Sequence, residues 1–216
     1  TLTKPKETLQ DLLSRSGGFT DRAFEDVDGA EWKPLVETDA EGYMTVGLNM
    51  VHVAAGDHSI LLDTGIGEPH PTRTQVEEAF PFTPSASLLP CLEAIGAPLD
   101  QVTAVIFSHP HSDHVMGSTV ERDGRRIPAF PNARYLLLQE EWAAISPRMR
   151  PGSAVHLHLA ALQEHNLLDP VEDGHEVAPG VRMVASPGES PGHTNIRMES
   201  SGTTAFFLGD LFHHPS

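Results

Sequence analysis

Three histidines and one aspartate fall within the six residues His109-Pro110-His111-Ser112-Asp113-His114. Imidazole nitrogens and carboxylate oxygens are the donor atoms that borderline metals such as zinc accept. His109 and His111 are two positions apart and can reach one ion; Asp113 and His114 can turn towards another. The apolar run Val102 to Phe107 directly precedes them and predicts a buried strand. Proline donates nothing to a ladder, so Ser108-His109-Pro110 ends that strand. The cluster is therefore expected on a loop just past a strand end, where a rigid sheet holds a site open to solvent.

The pattern His109-x-His111-x-Asp113-His114 resembles the H-x-H-x-D-H signature of the metallo-β-lactamase superfamily. Companion motifs follow in order: Leu61-Leu62-Asp63-Thr64-Gly65 upstream, then Pro191-Gly192-His193-Thr194 and Leu208-Gly209-Asp210 downstream. Together they span about two thirds of the chain. The resemblance implies an α/β chain with an αβ/βα four-layer sandwich and metals at one edge of its two sheets. It implies that His109, His111 and His193 hold one divalent ion, that Asp113 and His114 hold a second, and that Asp210 bridges them. Asp113, His114 and Asp210 would then be the groups closest to the chemistry. Asp63, Thr64, His213 and His214 would stand in supporting positions, fixing a ligand or the loop that carries it. Zinc is the default for such donors, and manganese, iron or cobalt also fit. A metal pair about 3.5–4 Å apart can share a hydroxide, lowering the pKa of its parent water towards ~7.

The stretch Glu121 to Tyr135, within the long segment between His114 and His193, and the run Gly209-Asp210-Leu211-Phe212-His213-His214-Pro215 resemble the branch of quorum-quenching lactonases and methyl parathion hydrolase-like esterases. That resemblance implies hydrolysis of a small lactone or carboxylic ester, with phosphotriesters as promiscuous substrates, and it is compatible with a homodimer. Three alternatives stay open. A glyoxalase II-type thioesterase would prefer S-lactoylglutathione to lactones. A mononuclear iron dioxygenase of the persulfide type would consume oxygen. A non-catalytic metal-binding pseudo-hydrolase would turn over neither.

Composition narrows the partners. The formal charge is −16, with 14 basic residues among 216 and no basic run beyond Arg125-Arg126. Phosphate contacts come from Lys and Arg, so nucleic acid is not an expected partner. No apolar run approaches the ~18 residues needed to cross a bilayer, so no membrane partner is expected. Thr1 to Lys6 contains no apolar signal region, although a chain starting at Thr1 leaves a processed, secreted form open and the compartment unspecified. The single Cys91 excludes an intrachain disulfide, and its apolar neighbours Leu88, Leu89 and Leu92 predict a buried, inert thiol.

Two regions are expected, an N-terminal arm over 1–42 packed on a hydrolase domain over 43–216. In the arm, Phe19, Phe24 and Trp32 would pin it to the body or line a pocket. The body should open with a hairpin of Tyr43 to Ala54 and Ser59 to Leu62 about Gly56-Asp57. A Pro-rich loop, Glu68 to Pro84, precedes a helix from Ser85 to Ile95. Further strands are predicted over Ala133–Leu138, Gly180–Ala185 and Thr203–Leu208, and helices over Gln139–Ile145 and from Pro151 to about His165. His156, His158 and His165 fall in the last of these and are expected to be solvated or packed.

The family pattern also calls for one more histidine, beyond Asp210 and after further strands and a helix. The chain stops six residues past Asp210. The expectation is a domain short of its C-terminal portion, within a longer chain of roughly 260–300 residues.

Overall fold

The computed structural model describes residues 28–35, 47–69, 73–74 and 87–211. Contacts divide the chain into two compact units, Asn49–Glu68 with Ala86–Leu211, and Thr1–Leu48 with Pro69–Ser85 and Phe212–Ser216. In the second of these, a short helix α1 (Gly29–Trp32) runs into a 3-10 turn, Lys33–Leu35. Asp28 Oδ1 accepts from the Ala30 N–H at 2.8 Å, satisfying a donor that the helix start leaves unpaired.

The larger unit is built on two sheets. Its first segments are β1 (Val51–Ala55), β2 (His58–Leu62), helix α2 (Leu88–Ala94) and β3 (Ala104–Ile106). A helical turn α3 (Ser112–Val115) leads to the hairpin β4 (Thr119–Arg122) and β5 (Arg125–Pro128). Then come β6 (Arg134–Leu138), α4 (Gln139–Ile145), α5 (Ala154–Glu164) and β7 (Leu168–Val171). The chain continues through β8 (Glu176–Ala178), β9 (Val181–Ala185), β10 (Thr194–Ser200) and β11 (Thr203–Phe207). One sheet has the order β1-β2-β3-β6-β7, parallel except at β1; the other, β11-β10-β9-β8, is antiparallel.

Why the central strands are apolar throughout follows from where their two faces go. Leu61, Val105, Phe107, Tyr135 and Leu137 point to one side, against Leu88 and Leu92 of α2 and Leu159 and Leu162 of α5. Ile60, Leu62, Ile106, Leu136 and Leu138 point to the other, against Val181, Met183 and Ile196 of the second sheet. Segments buried on both faces need a continuous apolar run, and that is the pattern of Ile60–Leu62 in β2, of β3 and of Tyr135–Leu138 in β6. The antiparallel sheet buries one face only. Ile196 is wholly buried, while Phe206, on β11, is 51% exposed. Helices, sheet and sheet form three successive layers among the described residues.

The structure corrects several expectations. Where it is described, the first strand begins at Val51, not at Tyr43; residues 47–50 are irregular, and 43–46 lie outside the described residues. So do Phe19, Phe24, Phe80 and Phe82. Strand β7 escapes sequence reading because Pro170 and Asp169 mask it; it lies at a sheet edge, where proline is tolerated. Strand β8 is only three residues long, and β10 alternates Ile196 and Met198 with polar residues that face away from the core. The histidine–aspartate cluster is not all loop, since Asp113 and His114 sit in α3.

Cys91 is exposed rather than buried. Leu88 and Leu92 are four positions apart and share the inward face of α2, which turns Cys91 out by about 100° from Leu92. A water-soluble disulfide reagent is therefore expected to titrate Cys91 fully in the native protein; protection until denaturant is added would contradict this placement.

Candidate metal centre

Strands β2 and β3 run parallel, so their carboxyl ends meet at one edge of the sheet. Asp63 leaves the end of β2 with φ 54, a left-handed conformation that aspartate tolerates better than most residues. Its carboxylate is 1% exposed and fully engaged. Oδ1 accepts from the Ser108 N–H at 2.8 Å, and Oδ2 accepts from Ser108 Oγ–H at 2.7 Å and from His114 Nδ1–H at 2.7 Å. Next to it, Thr64 donates its N–H and its hydroxyl to the His114 carbonyl at 2.8 and 2.7 Å. Thus the turn after β2 grips both the side chain and the backbone of His114.

His109 follows β3 and is wholly buried. Ser108 Oγ gives its proton to Asp63, so its lone pair accepts from His109 Nδ1–H at 3.2 Å, and His109 Nε2 is then the acceptor in its 2.7 Å hydrogen bond with His111 Nδ1. The turn of α3 brings His114 back over His109, ring centroids 4.1 Å apart. Asp210 Oδ2 stands 3.3 Å from His114 Nε2 and 4.0 Å from His109 Nε2, and Asp113 Oδ2 is 3.7 Å from His114 Nε2. His114 Nε2 is a buried nitrogen that meets no hydrogen-bond criterion and faces these two carboxylates.

His193 arrives from the other sheet, at the end of the 186–192 loop. The Thr194 N–H donates to the Ser108 carbonyl at 2.8 Å and stitches this loop to the His109 segment. Nδ1 of His193 bonds Ser186 Oγ at 2.9 Å, and its Nε2 accepts the Asp210 N–H at 3.1 Å. That hydrogen bond depends on Gly209, whose φ is +52 and where an added Cβ would lie 2.8 Å from His193 Nε2. Below the loop, the buried Glu141 of α4 accepts the Gly192 N–H through Oε2 at 2.6 Å.

Electrostatics separate the histidines. Burial, reinforced by the neighbouring His114 and His111, lowers the His109 pKa to about 2, so this ring stays neutral and its lone pair available. His193 is also lowered, chiefly by burial. Burial would lower His114 as well, but Asp63, Asp210 and Asp113 together outweigh it and raise its pKa to about 11. The pocket beside His114 Nε2 therefore demands positive charge, supplied by a proton or by a cation.

Two groups of donor atoms could hold an ion, each with its atoms within 4.8 Å of one another: His109, His114 and Asp210, and His109, His111 and Glu189. Two donors on a tetrahedral zinc, with bonds of about 2.0–2.2 Å, stand about 3.3–3.5 Å apart. The 3.3 Å between His114 and Asp210 fits that spacing. Asp113 and His193 lie at the margin of these groups rather than within them. His213 and His214 lie outside the described residues. Sequence reasoning passed over Ser108, Ser186, Glu141 and Glu189. Ser108 alone carried a signal, since it adjoins His109 at the strand end.

Known proteins bear on the same residues. An N-acyl homoserine lactonase of Bacillus thuringiensis is 25% identical over 181 residues, covering 82% of this chain and 61% of the relative. One from Bacillus cereus is 26% identical over 170 residues, covering 78% and 58%. The chain thus spans about 61% of the length of the curated relatives it matches first. Among solved structures, a probable metal-dependent hydrolase from Staphylococcus aureus superposes with TM-score 0.70 at 24% identity, over 85% of this chain and 65% of that one. The dizinc quorum-quenching lactonase AidC, in complex with a homoserine product, gives 0.58 at 21% identity, over 81% and 60%. These likenesses show the fold. Residues 46–216 match the model of the Metallo-beta-lactamase superfamily, and the chain belongs to that superfamily.

Proposed function

We propose that this chain carries the metal centre of a hydrolase acting on a lactone or carboxylic ester. His109, His111 and His193 would hold one divalent ion, zinc by preference, and Asp113 and His114 a second, with Asp210 between them. The observation that carries this reading is His114. Its Nδ1 is locked by a buried carboxylate, while its buried Nε2 is unbonded and lies between two more carboxylates. A carboxylate behind a histidine fixes the tautomer and raises the basicity of the outward nitrogen, as metal sites require. Bound divalent ions supply Lewis acidity there, acidifying water and polarising an ester carbonyl. The chain's own residues orient the donors: Asp63 and Ser108 set the His114 and His109 rings, Thr64 fixes the α3 carbonyl, and Ser186 sets His193. Lactone hydrolysis draws support from the bacterial lactonases at 25% and 26% identity.

Purified protein should contain close to stoichiometric transition metal and hydrolyse members of a lactone, ester and phosphotriester panel. Metal-free protein after reconstitution, or turnover of S-lactoylglutathione alone, would overturn the reading.

A pH dependence follows from His114. With a pKa of about 11 in the metal-free protein, it holds a proton throughout pH 6–8. An ion taking Nε2 must expel that proton, so zinc affinity is expected to fall about tenfold per pH unit of acidification. His109, already neutral, releases none. Calorimetric titration in two buffers of different ionisation enthalpy measures the released proton; affinity that is flat between pH 6 and 8 would contradict the assignment of His114.

A further inference from the structure

We propose that Glu189 is a ligand for the ion held by His109 and His111, a carboxylate donor supplied by the tip of the loop that leads to His193. The inference rests on the metal-dependent reading above and adds a residue that it does not contain.

Glu189 Oε1 lies 3.4 Å from His111 Nδ1, within the about 3.3–3.5 Å expected of two donors on one tetrahedral zinc. His109 Nε2 completes a set of three donors within 4.8 Å of one another. The loop is built to present the side chain. Gly188 N–H donates to the Ser190 carbonyl at 3.2 Å, closing a tight turn with Glu189 at its apex, and Glu141 anchors the far side through Gly192. The Glu189 side chain is 29% exposed and that of His111 51%, so the third donor sits at the mouth of the site, where solvent and substrate reach it.

The same distance could arise from a simple surface contact between Glu189 and His111, and the two roles differ in outcome. A ligand lost to Glu189→Gln weakens metal binding. A carboxylate that only neighbours His111 leaves zinc binding undiminished when it is replaced.

The test is zinc titration against a chromophoric chelator, on wild type and Glu189→Gln, with cobalt substitution as a second readout. Glu189 is on an exposed loop, so circular dichroism of the variant should match wild type. The expected result is a loss of about tenfold or more in affinity for one equivalent of zinc, the scale at which even outer partners of a ligand act. The visible cobalt bands should change for that same equivalent. Unchanged or tighter zinc binding with unaltered cobalt bands, beside tight binding by wild type, overturns the inference alone. Failure of wild type to bind zinc or cobalt overturns the metal-dependent reading as well.

Discussion

Asp63→Ala is expected to cost about 2–5 kcal/mol of stability and to weaken zinc binding by about 10–100-fold. The carboxylate is buried and accepts from the Ser108 amide, the Ser108 hydroxyl and His114 Nδ1. Truncation leaves a buried amide and an imidazole N–H without acceptors, each at about 1–3 kcal/mol. Alanine is also a poorer occupant of φ 54 than aspartate. The His114 ring, no longer held, loses both its orientation and the nearest of the charges that raise its pKa. Urea unfolding of the metal-free protein and zinc titration separate the two effects. A variant with wild-type stability and wild-type zinc affinity would show that Asp63 is only a turn residue.

A comparable effect is expected from a smaller change, Gly192→Ala. An added Cβ would lie 2.7 Å from the Glu141 Cα, against helix backbone that cannot yield as a flexible side chain could. To make room, the 186–192 loop must lift from α4. Doing so breaks the bond from the Gly192 N–H and leaves the Glu141 carboxylate buried with neither oxygen bonded, since Oε1 has no partner. Overpacking of this kind costs about 1–3 kcal/mol, and the stranded carboxylate adds to it. Because His193 is the next residue, hydrolysis should fall by at least about a hundredfold, the scale of loss from a misplacement of roughly 1 Å. Measuring turnover at saturating zinc together with the melting temperature decides it. Wild-type values for both would mean that the loop accommodates a methyl group freely.

The metal-ligating types were legible before any fold was known, because His109, His111, Asp113 and His114 crowd into one short segment. The fold was legible where burial is two-sided, since Ile60–Leu62, Ala104–Ile106 and Tyr135–Leu138 are continuous apolar runs. It was illegible where the strand is short or carries proline, as in β8 and β7, and where polar residues alternate along it, as in β10. The supporting groups were harder still. Glu141 and Gly192 are 51 positions apart and meet only because α4 packs under a loop from the other sheet. Cys91 shows the converse error: apolar neighbours in sequence do not share a face on a helix with a 3.6-residue turn.

The His109, Thr194 and Asp63 contacts have a consequence in time. The candidate donors come from three separate stretches, after β3, before β10 and after β11, and are braced by Asp63 and Thr64 after β2, so that both sheets contribute. No local segment can assemble them, and contacts of such wide sequence separation form late because loop closure must come first. Zinc added during refolding should therefore leave the rate of collapse unchanged and slow only the reverse reaction, since an ion bound to finished structure must leave before the chain can open.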